Sequence, residues 1–329
     1  MGDPAGVGPE LCLRTLVNPE ILRLCDPVVF GHLDILERVG KLIGLPLPAN
    51  LRVWERLSQD IPRGPSVVNC PAPKAGEIIP GKVSADCGKA AFGFIKTAIE
   101  AAGAGLIDAV ATAPIHKEAL RLAGVSHPGH TEIFTALTGA RRSCMMLWSE
   151  VLTVSMVTTH IGYAEVPARL SVQRIVDVIE LTADALALMN GRKPQLAICG
   201  LNPHAGEHGL FGSREEEKFV EPAVQKARSR GISIEGPLPP DTAFTPDKRK
   251  RFHGVVCLYH DQGHIPFKML AFDEGVNLTL GLPMVRTSVD HGTAFDIAWQ
   301  GSARPISLFK AVECAVRLSA SRRQPSPPL

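Results

Sequence analysis

Three apolar, strand-like runs in this chain end in the same way, each leading within a few residues to a histidine. Leu152–Met156 runs into Val157-Thr158-Thr159-His160, Gln195–Gly200 into Leu201-Asn202-Pro203-His204, and Val255–Leu258 into Tyr259-His260-Asp261-Gln262-Gly263. Side chains at strand ends in an open α/β sheet converge on the crevice where ligands bind. Three imidazoles gathered there could hold one divalent cation and leave positions open for substrate. The histidines lie 44 and 56 residues apart, which excludes a local zinc finger and leaves the fold itself to bring them together. Taken singly, each is as well explained as a buried or loop-edge residue. The repeated context is what points to a site.

A length of 329 residues suits two domains of ordinary size. With 45% hydrophobic and 21% charged residues the composition is that of a globular chain. A net charge of +2, and no basic block beyond Lys248–Arg251, make nucleic acid an unexpected partner. No apolar run approaches the roughly 18 residues a membrane-spanning helix needs, and the start lacks the regions of a signal peptide. Eight scattered cysteines without a C-x-x-C pair suggest buried thiols in a reducing cytoplasm.

Strand-like and helix-like patterns alternate, which argues for α/β layers. Pro27–Phe30 reads as a strand, followed by a helix over about 32–43. Residues 44–84 are rich in Pro and Gly and carry little readable pattern. A helix over 88–104 leads to a strand at Asp108–Thr112. Ser171 is placed to cap a helix that Asn190-Gly191 ends. Ser213 with Glu216 forms a capping-box pattern for a helix running to about Arg230. A last helix is expected over about 306–320, and the Ser/Pro/Arg-rich tail 321–329 is expected to be disordered. Residues 2–10, Gly-Asp-Pro-Ala-Gly-Val-Gly-Pro-Glu, make a glycine-rich turn into a helix from about Leu11. Such a turn can meet an anion or simply be tight, but it lacks Rossmann spacing and a preceding strand.

Six segments in order carry a resemblance. They are Gly2–Glu10, Gly129-His130-Thr131-Glu132, Thr158-Thr159-His160, Asn202-Pro203-His204-Ala205-Gly206-Glu207, Tyr259-His260-Asp261-Gln262-Gly263 and Arg286–Asp296. Together they resemble the 4-hydroxythreonine-4-phosphate dehydrogenase (PdxA-like) family from Gly2 to about Val316. That family is similar in fold to isocitrate and isopropylmalate dehydrogenases, which bind a nicotinamide cofactor without a Rossmann domain. The resemblance implies two α/β domains flanking a cleft, one over 1–130 with 290–320 and the other over 131–289. Family members have a short strand before the Gly-Asp-Pro loop, and here Met1 stands immediately before it. A start set too late is therefore the expectation.

The resemblance implies His160, His204 and His260 as metal ligands, the third coming from a partner subunit, and hence a homodimer with a shared active site. Imidazoles suit zinc first, with cobalt, nickel, magnesium or manganese as alternatives. It implies His130, Thr131, Lys268, Asn277 and Arg286 as substrate ligands. Arg offers a planar fork to phosphate, Lys a point charge, and Thr and Asn hydrogen bonds. Singly, Lys268 and Arg286 read as surface charges, Thr131 as a helix cap and Asn277 as a turn residue. Asp290–Gly301 resembles the isopropylmalate-type cofactor loop and implies His291, Gly292 and Asp296 as ligands of NAD or NADP. Trp299 and Gln300 replace that loop's Gly-Lys, and the alternative is a glycine turn before a helix capped by Thr293. Asp241, Asp261 and Lys268 are the candidates for proton transfer, although Asp241 could instead be a helix cap. His264 falls outside the ligand pattern and hints at the sugar-acid branch of the family.

The activity expected is metal-dependent, NAD(P)-linked oxidation, with decarboxylation, of a phosphorylated hydroxy acid such as 4-phosphooxy-L-threonine. D-erythronate or D-threonate 4-phosphate, or a cis-dihydrodiol acid of the terephthalate type, are the alternatives within the family. A metal-dependent hydrolase and a phosphate-binding protein are the alternatives of other classes. Formation of NADH separates the dehydrogenase from both.

Overall fold

The computed structural model describes residues 1–56, 63–127, 129–272 and 274–323. The chain divides into two compact units, Met1–Ala140 with Leu282–Ser319, and Arg141–Gly281 with the segment from Ala320. The crossings fall near 140 and 281 rather than near 130 and 290. The helix that begins at His130 buries Ile133 and Phe134 in the first unit's core, and the strand before residue 290 pairs within that unit.

In the first unit, α1 (Gly8–Val17) and α2 (Pro19–Leu24) precede β1 (Val28–Gly31), α3 (Leu33–Ile43), β2 (Arg52–Trp54) and β3 (Ser66–Asn69). Next come α4 (Ala85–Gly103), β4 (Ala109–Thr112), α5 (Lys117–Leu122) and α6 (His130–Thr138). Parallel pairing in the order β1-β3-β2 builds a small sheet. The helix expected at 88–104 starts earlier, because Ser84 Oγ accepts from Cys87 N and caps it. Phe94, Ile95, Ala98 and Ile99 of α4 meet Leu13, Leu16, Leu36 and Val67 in one apolar core.

The second unit contains β5 (Cys144–Trp148), β6 (Thr153–Met156), α7 (Val166–Arg169), α8 (Val172–Asn190), β7 (Gln195–Cys199) and α9 (Glu221–Ser229). It continues with β8 (Ser233–Leu238), α10 (Pro246–Arg251), β9 (Gly254–Cys257), α11 (His260–Ala271) and β10 (Val276–Leu280). The strand order is β10-β5-β6-β9-β7-β8, antiparallel across β10-β5-β6 and parallel from β6 to β8. The inner parallel strands β6, β9 and β7 are buried on both faces, so they read as largely apolar runs. The chain then returns to the first unit as β11 (Val285–Val289), parallel to β4, and α12 (Ile306–Arg323).

α8 matches expectation at both ends: Ser171 Oγ accepts from Arg174 N, and Gly191 takes the left-handed conformation at φ 66°. Other expectations are corrected. Ser213 caps nothing with its side chain, and Glu216 reaches instead to the loop after β7, accepting from Leu201 N and Asn202 N at 2.8 Å. Regular helix begins only at Glu221, after a wider π-type turn over Glu216–Val220. Thr293 opens no helix; a single 3-10 turn, Phe295–Ile297, follows Ala294. Asp241 sits in a turn, and the following helix is flanked by Thr245. Gly129, not Thr131, stands at the N-cap of α6. Residues 321–323 continue α12, and 324–329 lie outside the described residues.

Candidate active site

β6, β9 and β7 are parallel neighbours, and each delivers one of the three histidines just past its carboxyl end. His160 and His260 meet, their ring centroids 5.8 Å apart and tilted by 43°. They line a cavity of ≈ 270 Å³ together with Thr159, Tyr163, Tyr259 and Asp261. His260 opens α11, and its Nδ1 lies 2.6 Å from Asp261 Oδ1. A carboxylate on Nδ1 fixes that nitrogen as the donor and turns Nε2 toward a ligand.

His264, one turn along α11, stacks on His260 at 3.6 Å and 10°. Its Nδ1 donates to the His260 carbonyl at 2.9 Å, and burial, then the neighbouring His260, pull it down to about 4. It is therefore a neutral imidazole at neutral pH. The i, i+4 spacing of His260 and His264 was the signal in the sequence for this contact. Gln262 was not singled out at all. Its Oε1 accepts from Leu258 N and its Nε2 donates to Gly200 O, both at 2.7 Å, joining the ends of β9 and β7.

His204 stands apart from this pair. It lies on a turn over Pro203–Gly209 in which His204, Ala205, Gly206, Glu207 and His208 all have left-handed backbone, φ 41° to 81°. Its Nδ1 is 3.2 Å from Glu207 Oε2, and its ring meets Phe211 edge-on at 5.8 Å. Among the described residues no three His, Cys, Asp or Glu side chains form a group able to hold a metal. His160 and His260, an all-nitrogen pair with one ring oriented by a carboxylate, fit two positions of an imidazole metal site.

The first unit holds a buried guanidinium. Arg286 on β11 is buried at 3% exposure, its Nη2 donating to Thr112 Oγ1 at 2.7 Å and its guanidinium 5.5 Å from the Phe134 ring. Burial pushes its pKa down to about 9, against the support of Glu132. His130, the first residue of α6, is driven well below the ordinary histidine range by burial and then by Arg286. Its Nε2 is buried without a hydrogen-bond partner among the described residues. Thr131 follows at the helix N-terminus, where backbone N–H groups and the helix dipole favour an anion. A desolvated guanidinium beside that terminus suits a phosphate group.

Two more expected substrate ligands lie in the second unit. Asn277 is half-buried on β10, and its Oδ1 also lacks a hydrogen-bond partner among the described residues. Lys268 is exposed on α11, its Nζ 5.9 Å from the Phe272 ring. Asp241 is exposed in its turn. On the loop after β11, His291, Gly292 and Asp296 are exposed, and space above Gly292 is open. An exposed carboxylate and an unobstructed backbone suit the ribose and phosphates of a dinucleotide.

Residues 23–315 match the family model for the pyridoxal phosphate biosynthetic protein PdxA. The chain is 43% identical over 323 residues to the 4-hydroxythreonine-4-phosphate dehydrogenase of Desulforapulum autotrophicum, covering 96% of this chain and 93% of that protein. It is 42% identical over 321 residues to the D-threonate 4-phosphate dehydrogenase of Salmonella typhimurium, covering 97% of each. The crystal structure of 4-hydroxythreonine-4-phosphate dehydrogenase from Klebsiella pneumoniae superposes with a TM-score of 0.85 at 41% identity, over 97% of this chain and 98% of that one. Identity at this level along nearly the whole length leaves one assignment: the chain belongs to the PdxA family.

Proposed function

We propose that this chain is a metal-dependent, nicotinamide-linked dehydrogenase of a phosphorylated hydroxy acid, with 4-phosphooxy-L-threonine as the substrate of first choice. The observation that carries the reading is buried Arg286 beside His130 at the N-terminus of α6. A guanidinium removed from water costs stability unless an anion or strong hydrogen bonds replace the solvent. A phosphate does so bidentately. Thr131 adds a hydroxyl, and Lys268 and Asn277 are read as further substrate ligands. The relatives named for two phosphorylated hydroxy acids support the same substrate class.

When bound, a divalent metal such as zinc supplies a Lewis acid for the alcohol oxygen and the dinucleotide an acceptor for two electrons. His160, His204 and His260 would hold the metal, the third of them coming from the partner subunit of a homodimer. Asp261 orients His260. Lys268 or Asp241 takes the hydroxyl proton, and His291, Gly292 and Asp296 meet NAD or NADP. Oxidation of the alcohol β to the carboxylate, with its hydride passing to the dinucleotide, would give a β-keto acid, whose loss of carbon dioxide follows readily. Eight free cysteines favour a cytoplasmic setting, and no helix among the described residues is long and apolar enough to cross a membrane.

D-threonate 4-phosphate is the second substrate, supported by the relative named as a D-threonate 4-phosphate dehydrogenase. The test offers 4-phosphooxy-L-threonine, D-threonate and D-erythronate 4-phosphates and a cis-dihydrodiol acid to the purified protein with zinc and NAD or NADP. Reduced cofactor from a phosphorylated hydroxy acid, and none from the diol, is the expected result. Absence of reduced cofactor with all four would sink the dehydrogenase reading and leave metal-dependent hydrolysis to be assayed.

A further inference from the structure

Two segments far apart in sequence meet within the first unit. The glycine-rich turn of residues 2–10 lies against the loop Thr293–Ala303, nearly 290 positions away, through backbone and side-chain bonds along the loop's length. Val7 N donates to Thr293 O at 3.0 Å, and the Trp299 indole Nε1 donates to Pro4 O at 3.1 Å. Glu10 is wholly buried, with Oε2 accepting from Gly301 N at 3.1 Å and Oε1 accepting from Ala303 N at 3.0 Å. Arg14 closes the clamp, donating to Glu10 Oε1 at 3.0 Å and to Gly301 O at 2.7 Å. Gly6 allows the approach, since a Cβ there would stand 2.9 Å from Thr293 O.

The loop needs such a hold. Ala294 and Trp299 both adopt left-handed backbone, φ 43° and 63°. Such backbone is strained in an L-residue and persists only where the surroundings over-determine it. The docked face of the loop is buried at Thr293, Ala298, Trp299 and Ala303. His291, Gly292, Asp296 and Gln300 are exposed.

We propose that the N-terminal turn is the cradle of the cofactor loop rather than an anion site of its own, and that Glu10 is its positioning residue. The inference rests on the reading that His291, Gly292 and Asp296 meet the dinucleotide. Glu10 is wholly buried, away from solvent. Its carboxylate holds Gly301 and Ala303, and through them the strained segment whose opposite face is offered to the cofactor.

Glu10→Gln keeps the size of the side chain but replaces one acceptor with a donor facing a backbone N–H. If the loop is then docked about a tenth of the time, the apparent Kd for NAD or NADP rises about tenfold. The Kd is read by titration calorimetry, together with amide exchange at Gly301 and Ala303. The KM for the dinucleotide should rise in parallel, kcat should recover at saturating dinucleotide, and the KM for the hydroxy acid should stay unchanged. A general loss of folding would not produce that split. Arg14→Ala removes the outer half of the clamp and carries the same expectation should Glu10→Gln fail to fold. Asp296→Ala and Gly292→Val test the underlying reading separately. If these two leave Kd unchanged, the cofactor assignment of the loop fails and this inference with it. If they weaken binding while the Glu10 and Arg14 variants stay within twofold of the parent, this inference alone is overturned.

Discussion

Asp3 is a carboxylate kept where charge is disfavoured. It is 1% exposed; Oδ1 accepts from Ala5 N at 2.9 Å, and Oδ2 is buried without a hydrogen-bond partner among the described residues. Burial raises its pKa from 3.8 to about 6, against the opposing pull of the Ala5 hydrogen bond and of His116. A raised folded-state pKa means the native state holds the proton more tightly than the unfolded chain does. The associated stability is complete below pH 3.8 and is lost as pH rises through 6. The shift amounts to about 3 kcal/mol at most. Asp3→Asn keeps the acceptor for Ala5 N and removes the charge. Its Tm should therefore exceed the parent's at pH 8 and converge on it near pH 4. Equal Tm values at both ends of that range would show that Asp3 is not held in this environment. His264 contributes with the opposite sign, since its depressed pKa makes the native state bind fewer protons between about 4 and 6.5. Stability from that site grows as pH rises through the window.

Among elements, those set by local pattern were legible in the sequence and those set by distant partners were not. α8 declared itself through its apolar spacing, Ser171 and Gly191, because each signal acts within one helical turn. The carboxyl ends of β6, β7 and β9 were equally plain, since strands buried on both faces leave continuous apolar runs. Glu216 was misread because its partners, Leu201 and Asn202, lie 15 and 14 residues upstream on another element. Trp299 in left-handed backbone was invisible for the same reason: its bond to Pro4 spans nearly the whole chain. The turn carrying His204 is the extreme case. Four of its five left-handed residues are not glycine, at about 1–2 kcal/mol each. Glu216 clasps its entry, and a Cβ on Gly206 would stand 2.6 Å from Glu216 Oε2. Gly206→Ala should therefore lower stability by about 1–3 kcal/mol, read as a fall in the urea midpoint at constant slope. An unchanged midpoint would mean that the turn is not left-handed at this position.

For the whole molecule, the second unit carries large apolar side chains exposed to solvent. α11 presents Ile265, Leu270 and Met269 to solvent, the last at 81%, and Phe272 follows at its end. Tyr163, Leu210 and Phe211 are exposed on the same unit, flanking two of the histidine-bearing loops in sequence. Large apolar side chains exposed along one helix suit a surface that another protein covers. α11 also begins with His260, so a partner seated on its outer face comes up beside an incomplete set of imidazoles. A symmetric pair closes such a surface with one self-complementary patch, which is the commonest solution for an oligomer. Met269→Glu places a charge in that patch without touching His160, His260 or the core. Sedimentation should show the parent as a dimer and the variant as a monomer. The monomer should keep its Tm to within a few degrees, lose tight zinc binding and lose turnover. A variant that is monomeric yet binds zinc as tightly as the parent would place all the metal ligands on one chain. A variant that remains a dimer would move the contact away from α11.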